Sequence, residues 1–295
     1  MLCYSKLNFM IKYKFMLFKE NFALFFVAVV WGSTFILVKE ALNISPPFSF
    51  LFFRFFLSFL ALLPFYFFYK SKLNKKVLFD GTLMGICLFL AFAFQTFGLS
   101  IVEASIAAFI TGLYVVIAPI MSNFILKKKP SQLSLLGVFI STVGLGLMTL
   151  KGSFHLSKGQ IFVLICAILY SIHIIMTDYY TRIHSVLTLT TIQLAVVGIL
   201  SFPLTIIYHK KFFIGEIKPI FFISLGITSI FATVMAFLVM MAYQKKTNPT
   251  KACLIYATEI VTAALFSFIF ANEILSFKEY LGGAMIIFAI FLARD

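Results

Sequence analysis

Apolar stretches of about eighteen residues or more follow one another along this chain from Asn21 to Leu292, parted only by short polar breaks. A helix rising 1.5 Å per residue needs about 20 apolar residues to cross the ~30 Å hydrocarbon core of a bilayer, so each stretch has the length of one crossing. Ten are read: Asn21–Ala41, Pro47–Tyr69, Phe79–Ser100, Ala104–Leu126, Leu133–Leu150, Gly159–Tyr180, Val186–Tyr208, Pro219–Tyr243, Ala252–Phe270 and Phe277–Leu292. Breakers fall between them at Pro46, Pro47, Pro130, Gly152, Pro219 and Pro249. With 62% hydrophobic and 12% charged residues in 295, the chain cannot supply the polar shell of a soluble domain. The sequence therefore predicts an all-α membrane protein of ten transmembrane helices.

The formal charge of +14 does not point to nucleic acid, because the basic residues sit in the short breaks beside the membrane. With the N-terminus inside, sixteen Lys and Arg lie on the inner side and seven on the outer, which predicts both termini in the cytoplasm. One outer loop dissents: "HKKFFIGEIK" (209–218) is basic, and it is expected to lie along the interface. Residues 1–20 form a basic leader without a signal-peptide pattern, read either as a cytoplasmic interfacial arm or as sequence preceding a start at Met16. The four cysteines (Cys3, Cys87, Cys166, Cys253) show no metal spacing, so no metal or cofactor is expected.

Two segments align without gaps at one offset. "EASIAAFITGLYVVIAPIMSNFILKKKPSQLSLLG" (103–137) matches "NPTKACLIYATEIVTAALFSFIFANEILSFKEYLG" (248–282) at Ala107 with Ala252, Ile110 with Ile255, Ser131 with Ser276 and Gly137 with Gly282. A weaker pairing sets "AVVWGSTF" (28–35) beside "AILYSIHI" (167–174), with Trp31 opposite Tyr170 and Thr34 opposite His173. The order implies two five-helix units, residues 21–150 and 156–293. Five is odd, so the second unit enters the membrane inverted. Inverted repeats are the architecture of secondary transporters, whose site lies near the midplane between the repeats.

Glu259 stands in the middle of "LIYATEIVTAALFSFIF" (254–270). A charge at the centre of a lipid-facing helix costs roughly 2.5–3.5 kcal/mol on the mildest scales, so such a group is a functional candidate by default. At the repeat offset Thr111 pairs with Tyr256 and Tyr114 with Glu259, and each pair of residues on one helix is spaced i, i+3 on a single face. The repeat places Glu259 and Tyr114 together near the axis between the two units, where Glu259 either titrates or holds a substrate ammonium. The alternative is a protonated Glu hydrogen-bonded to a neighbouring helix.

"WGSTFILVKEAL" (31–42), "RFFLSFLALLP" (54–64), "FQTFGLSIVEASIAAFITGLYVVIAPIMS" (94–122) and "YQKKTNPTKACLIYATEIVTAALFSFIFANE" (243–273) resemble the EamA family of the drug/metabolite transporter superfamily. The resemblance implies ten spans as two inverted repeats, a central cavity, and export or exchange of amino acids and related small metabolites. Ile260 stands where the family often has Pro after the ninth-span Glu, so a local bend there is not dictated by the sequence.

The other candidates each carry two readings. Arg54, eight residues into the second stretch, either binds a substrate carboxylate or snorkels outward to pair with Glu103. Trp31, Thr34, Thr111, Tyr114, Tyr170 and Tyr256 are expected to line the cavity rather than simply pack, and His173 either faces it or packs as a buried polar residue. Gln95, with Thr96, either lines it or bridges helices. His173 and Asp178 match an H-x4-D pattern, but residues five apart on a helix diverge by about 140°, so no catalytic pair forms. Gly81 and Gly85 read as a close helix contact. No Walker A pattern is present. The expectation is a non-enzymatic secondary transporter of the inner (cytoplasmic) membrane, taking a small-molecule substrate with protons as a candidate coupling ion and working by alternating access. A nucleoside-like substrate such as S-adenosylmethionine is the alternative, with a membrane-embedded enzyme or a non-transporting receptor as rivals from other classes.

Overall fold

The computed structural model describes residues 2–69, 73–102, 104–127, 129–149, 157–271 and 276–292. Among them the regular structure is entirely helical: α1 (Leu2–Leu42), α2 (Pro47–Phe68), α3 (Lys75–Ile101), α4 (Ala104–Gly112), α5 (Tyr114–Ile125), α6 (Gln132–Thr149), α7 (Lys158–Tyr180), α8 (Val186–Leu204), α9 (Pro219–Ser229), α10 (Ala236–Gln244), α11 (Pro249–Tyr256), α12 (Thr258–Ala271) and α13 (Phe277–Leu292). Two π-helical turns, Thr205–His209 and Ile230–Met235, extend α8 and join α9 to α10. Among the described residues, seven helical runs are long and apolar enough to cross a membrane, and two shorter apolar helices, Gln132–Leu147 and Tyr280–Leu292, accompany them.

Helix starts follow local chemistry. Asn74 and Asn248 accept the backbone N–H three residues on, Ser157 and Gln160 cap each other reciprocally, and Pro47, Pro219 and Pro249 open their helices where no N–H is needed.

Three stretches that read as continuous helices are interrupted. The fourth breaks at Leu113, the ninth at Ala257, and the eighth passes through the π turn. At both breaks the ladder tightens to i−3 bonds: Leu113 N to Ile110 O at 3.2 Å, and Ile260 N to Ala257 O at 3.2 Å. The Thr258 hydroxyl donates to Ile255 O at 2.7 Å, drawing that carbonyl away from the helix. A break at Ala257 therefore needs no proline at position 260. The two breaks lie within one residue of equivalence at the offset of 145 that also separates Tyr114 from Glu259.

The packing is symmetric under exchange of the halves. α3 packs on α7 as α1 packs on α9 and α10, and α1 packs on α12 as α7 packs on α4 and α5. Equivalent helices that meet run antiparallel. On α2 and α8, Phe52 meets Phe202 at 5.1 Å while Gly198 faces Phe56. On α6 and α13, Gly137 faces Ala289 and Gly144 faces Gly282. The two repeats thus have opposite sense. Gly81 and Gly85 sit against Ile192 and Val196 of α8, where a Cβ would come within about 3 Å of the facing side chain.

Candidate functional site on the axis between the repeats

Two repeat-related pairs touch each other. The Tyr114 hydroxyl donates to Glu259 Oε1 at 3.2 Å, and the Trp31 and Tyr170 rings meet edge-on with centroids 6.0 Å apart. A residue can contact its own symmetry mate only beside the axis, so these four side chains mark where the pseudo-twofold passes. Glu259 lies in the first turn of α12, just past the Ala257 break, where the half-helix N-terminus favours negative charge.

A cavity opens beside Glu259. Trp31, Thr34, Arg54, Gln95, Thr111, Tyr170 and Glu259 line it, and Phe35, Val38, Phe92, Thr96 and Leu99 complete its wall. Its volume of about 40 Å³ is little more than one water's share of the liquid, well short of the ~300 Å³ and upward of small-molecule pockets.

Arg54 is 5% exposed and turned inward. Its Nε donates to the Thr233 hydroxyl at 2.8 Å, and its guanidinium lies over the rings of Phe92 at 5.0 Å and Phe55 at 5.4 Å. The π turn explains this partner: the Thr233 hydroxyl reaches back five residues to Thr228 O at 2.8 Å and presents its oxygen to Arg54. The same turn frees Ala232 O, which accepts from Trp31 Nε1 at 2.9 Å. Glu103, the other partner weighed for Arg54, lies outside the described residues.

The remaining candidates fall on either side of the wall. Thr34 returns its hydroxyl to Trp31 O at 2.8 Å, and Gln95 Nε2 donates to Thr111 Oγ1 at 3.4 Å, joining α3 to α4 across the cavity. Tyr114 is 1% exposed and stands behind the wall, bonded to Glu259 and with its ring 6.1 Å from that of Tyr170. Tyr256 and His173 are fully buried behind the wall. The Tyr256 hydroxyl donates to Gln244 Oε1 at 3.3 Å, Gln244 Nε2 donates to Ile174 O at 2.8 Å, and His173 Nε2 pairs with Gln193 Oε1 at 2.6 Å. These bonds pair the buried polar groups that lie behind the cavity wall. Asp178 pairs with Arg182 at 2.8 Å, away from His173.

α2 contributes Arg54 directly, whereas the eighth segment acts from behind through Ala232 and Thr233. Sequence reasoning missed Phe35 and Val38, which repeat the Trp31 face at helical spacing, and Phe92 and Leu99, which flank Gln95 by three and four residues.

The sequence pattern of the EamA-like transporter family matches residues 18–150 and again residues 157–294. The chain is a multi-pass helical membrane transporter. It belongs to the EamA-like transporter family, within the drug/metabolite transporter superfamily. An uncharacterized transporter of Archaeoglobus fulgidus is 35% identical over 266 residues, covering 90% of this chain and 82% of the relative. A crystal structure that is 17% identical superposes with a TM-score of 0.74 over 92% of this chain and 94% of its own, a likeness of fold.

Proposed function

We propose that this protein is a secondary transporter of the inner (cytoplasmic) membrane that exports or exchanges amino acids or related small zwitterions by alternating access. The reading rests on one observation: a buried carboxylate, Glu259, and a buried guanidinium, Arg54, line the same cavity. Neither charge is tolerable in a bilayer unless it is matched. A zwitterion matches both, its ammonium at Glu259 and its carboxylate at the terminal nitrogens of Arg54, whose Nε is already held by Thr233. Trp31, Phe92 and Tyr170 supply the apolar walls. In this reading all ten helical stretches cross the bilayer as the units 21–150 and 156–293, with both termini cytoplasmic. The repeats rock about the Tyr114–Glu259 axis, and a proton takes the place of the ammonium on Glu259 in the return step.

The three rings around the cavity also favour a second reading, an amino acid bearing a flat ring such as S-adenosylmethionine, stacked on an aromatic wall. Counterflow in proteoliposomes tests both. Preloaded amino acids should drive saturable uptake of their labelled counterparts, and a preference for the nucleoside-bearing compound would select the second reading. Absence of counterflow across both sets, with no ligand-induced rise in melting temperature, would overturn the substrate assignment.

A further inference from the structure

A second, larger hollow opens on the outer surface of the bundle. Phe48 of α2, Phe89, Phe94 and Phe97 of α3, Phe162 of α7 and Tyr208 of the π turn after α8 wall it, and it encloses about 390 Å³. Its lining is almost wholly apolar. Along α3 the groove runs eight residues, from Phe89 to Phe97, on the order of 12 Å. That is most of the depth of one leaflet, about half of the ~30 Å core.

The groove ends at a basic corner. The His209 ring stacks on Phe97 at 6.1 Å and meets Phe48 at 5.7 Å. Its Nε2 is shielded from solvent and has no hydrogen-bond partner among the described residues. Lys210 follows in the left-handed region, φ 57°, closing the π turn through its N–H to Thr205 O at 3.0 Å. Lys210 and Lys211 are both exposed. This is the loop whose positive charge runs against the topology of the rest of the chain.

We propose that the groove binds an anionic phospholipid, with one acyl chain along Phe89–Phe97 and the phosphate at His209, Lys210 and Lys211. The apolar length suits a single acyl chain, and the cations at its mouth suit a phosphate at the depth where headgroups begin. The lipid would bear on the helix that walls the transport cavity, because Phe92, Gln95, Thr96 and Leu99 occupy the other face of α3. The proposal stands apart from the identity of the transported substrate.

Native mass spectrometry of the full chain in detergent tests it, with phosphatidylglycerol or phosphatidylcholine of identical acyl chains added. The wild type should retain phosphatidylglycerol several-fold more than phosphatidylcholine. The surface variant Lys210→Gln/Lys211→Gln should bring the two lipids level. Ala93→Phe, placing a ring inside the groove, should remove the bound lipid whatever its headgroup; Leu204→Phe at the groove edge does the same if Ala93→Phe does not fold. Equal retention of both lipids by the wild type, or a phosphatidylglycerol adduct unchanged in the groove-filling variant, would overturn the proposal.

Discussion

Tyr114 and Glu259 hold the same place in the two repeats and bond directly to each other, hydroxyl to carboxylate, at 3.2 Å. Contact between symmetry mates places the bond beside the pseudo-twofold axis that relates the halves. Trp31 Nε1 to Ala232 O and Arg54 Nε to the Thr233 hydroxyl also cross between the repeats, but neither joins symmetry mates.

Replacing Glu259 by Gln keeps the shape and a hydrogen-bond acceptor while removing the charge. In the proposed mechanism protons and substrate ammonium compete for one carboxylate, so KM should rise as pH falls in the wild type. Glu259→Gln should flatten that dependence and weaken binding of cationic substrates. Transport assays in proteoliposomes across a pH series check this, and a pH profile unchanged in the variant would remove Glu259 from the coupling.

Tyr114→Phe deletes only the hydroxyl. Hydrogen bonds to charged groups contribute about 1.5–3 kcal/mol, which corresponds to roughly 10- to 100-fold in a rate or affinity that depends on the bond. Initial transport rates should fall within that range while the melting temperature moves little, since the ring still fills its site.

Arg54→Gln should discriminate between substrates. Uptake of a carboxylate-bearing amino acid should collapse, whereas uptake of its decarboxylated amine should survive. Equal loss of both would make Arg54 a structural residue. Thr233→Val leaves the cation but unpairs its Nε, and should lower the melting temperature through a buried donor left unsatisfied.

Gly32→Ala tests the contact between α1 and α12. A Cβ at position 32 would overlap Glu259 O and come within 2.7 Å of Thr262 Cβ and 3.0 Å of Ala263 N. Two of these are backbone atoms and cannot swing aside. Overpacking of this kind costs about 1–3 kcal/mol, so a melting temperature several degrees lower is expected, together with impaired transport. Gly226→Ala is the matched control: nothing lies within 4 Å of its Cβ, and alanine is the better helix former. It should leave stability unchanged or slightly raised.

The sequence by itself determined the helical class and the duplication, and it set the expected depth of the acid. Hydropathy marks how far along a helix each residue sits, and a rise of 1.5 Å per residue turns that into depth in the bilayer. The offset between "ITGLY" and "IYATE" then set Tyr114 beside Glu259. Only the tertiary structure decided which way the helices are turned about their own axes. Inside lipid both the packed and the exposed faces of a helix are apolar, so its rotation leaves little trace in hydropathy. That is why the sequence left Arg54 and His173 each between two readings, and gave no sign that Tyr256 lies behind the cavity or that a π turn presents Thr233 and Ala232. Each depends on a partner from a distant part of the chain, such as the 201 residues between Trp31 and Ala232. No local pattern of residues encodes such a meeting; the packed bundle does.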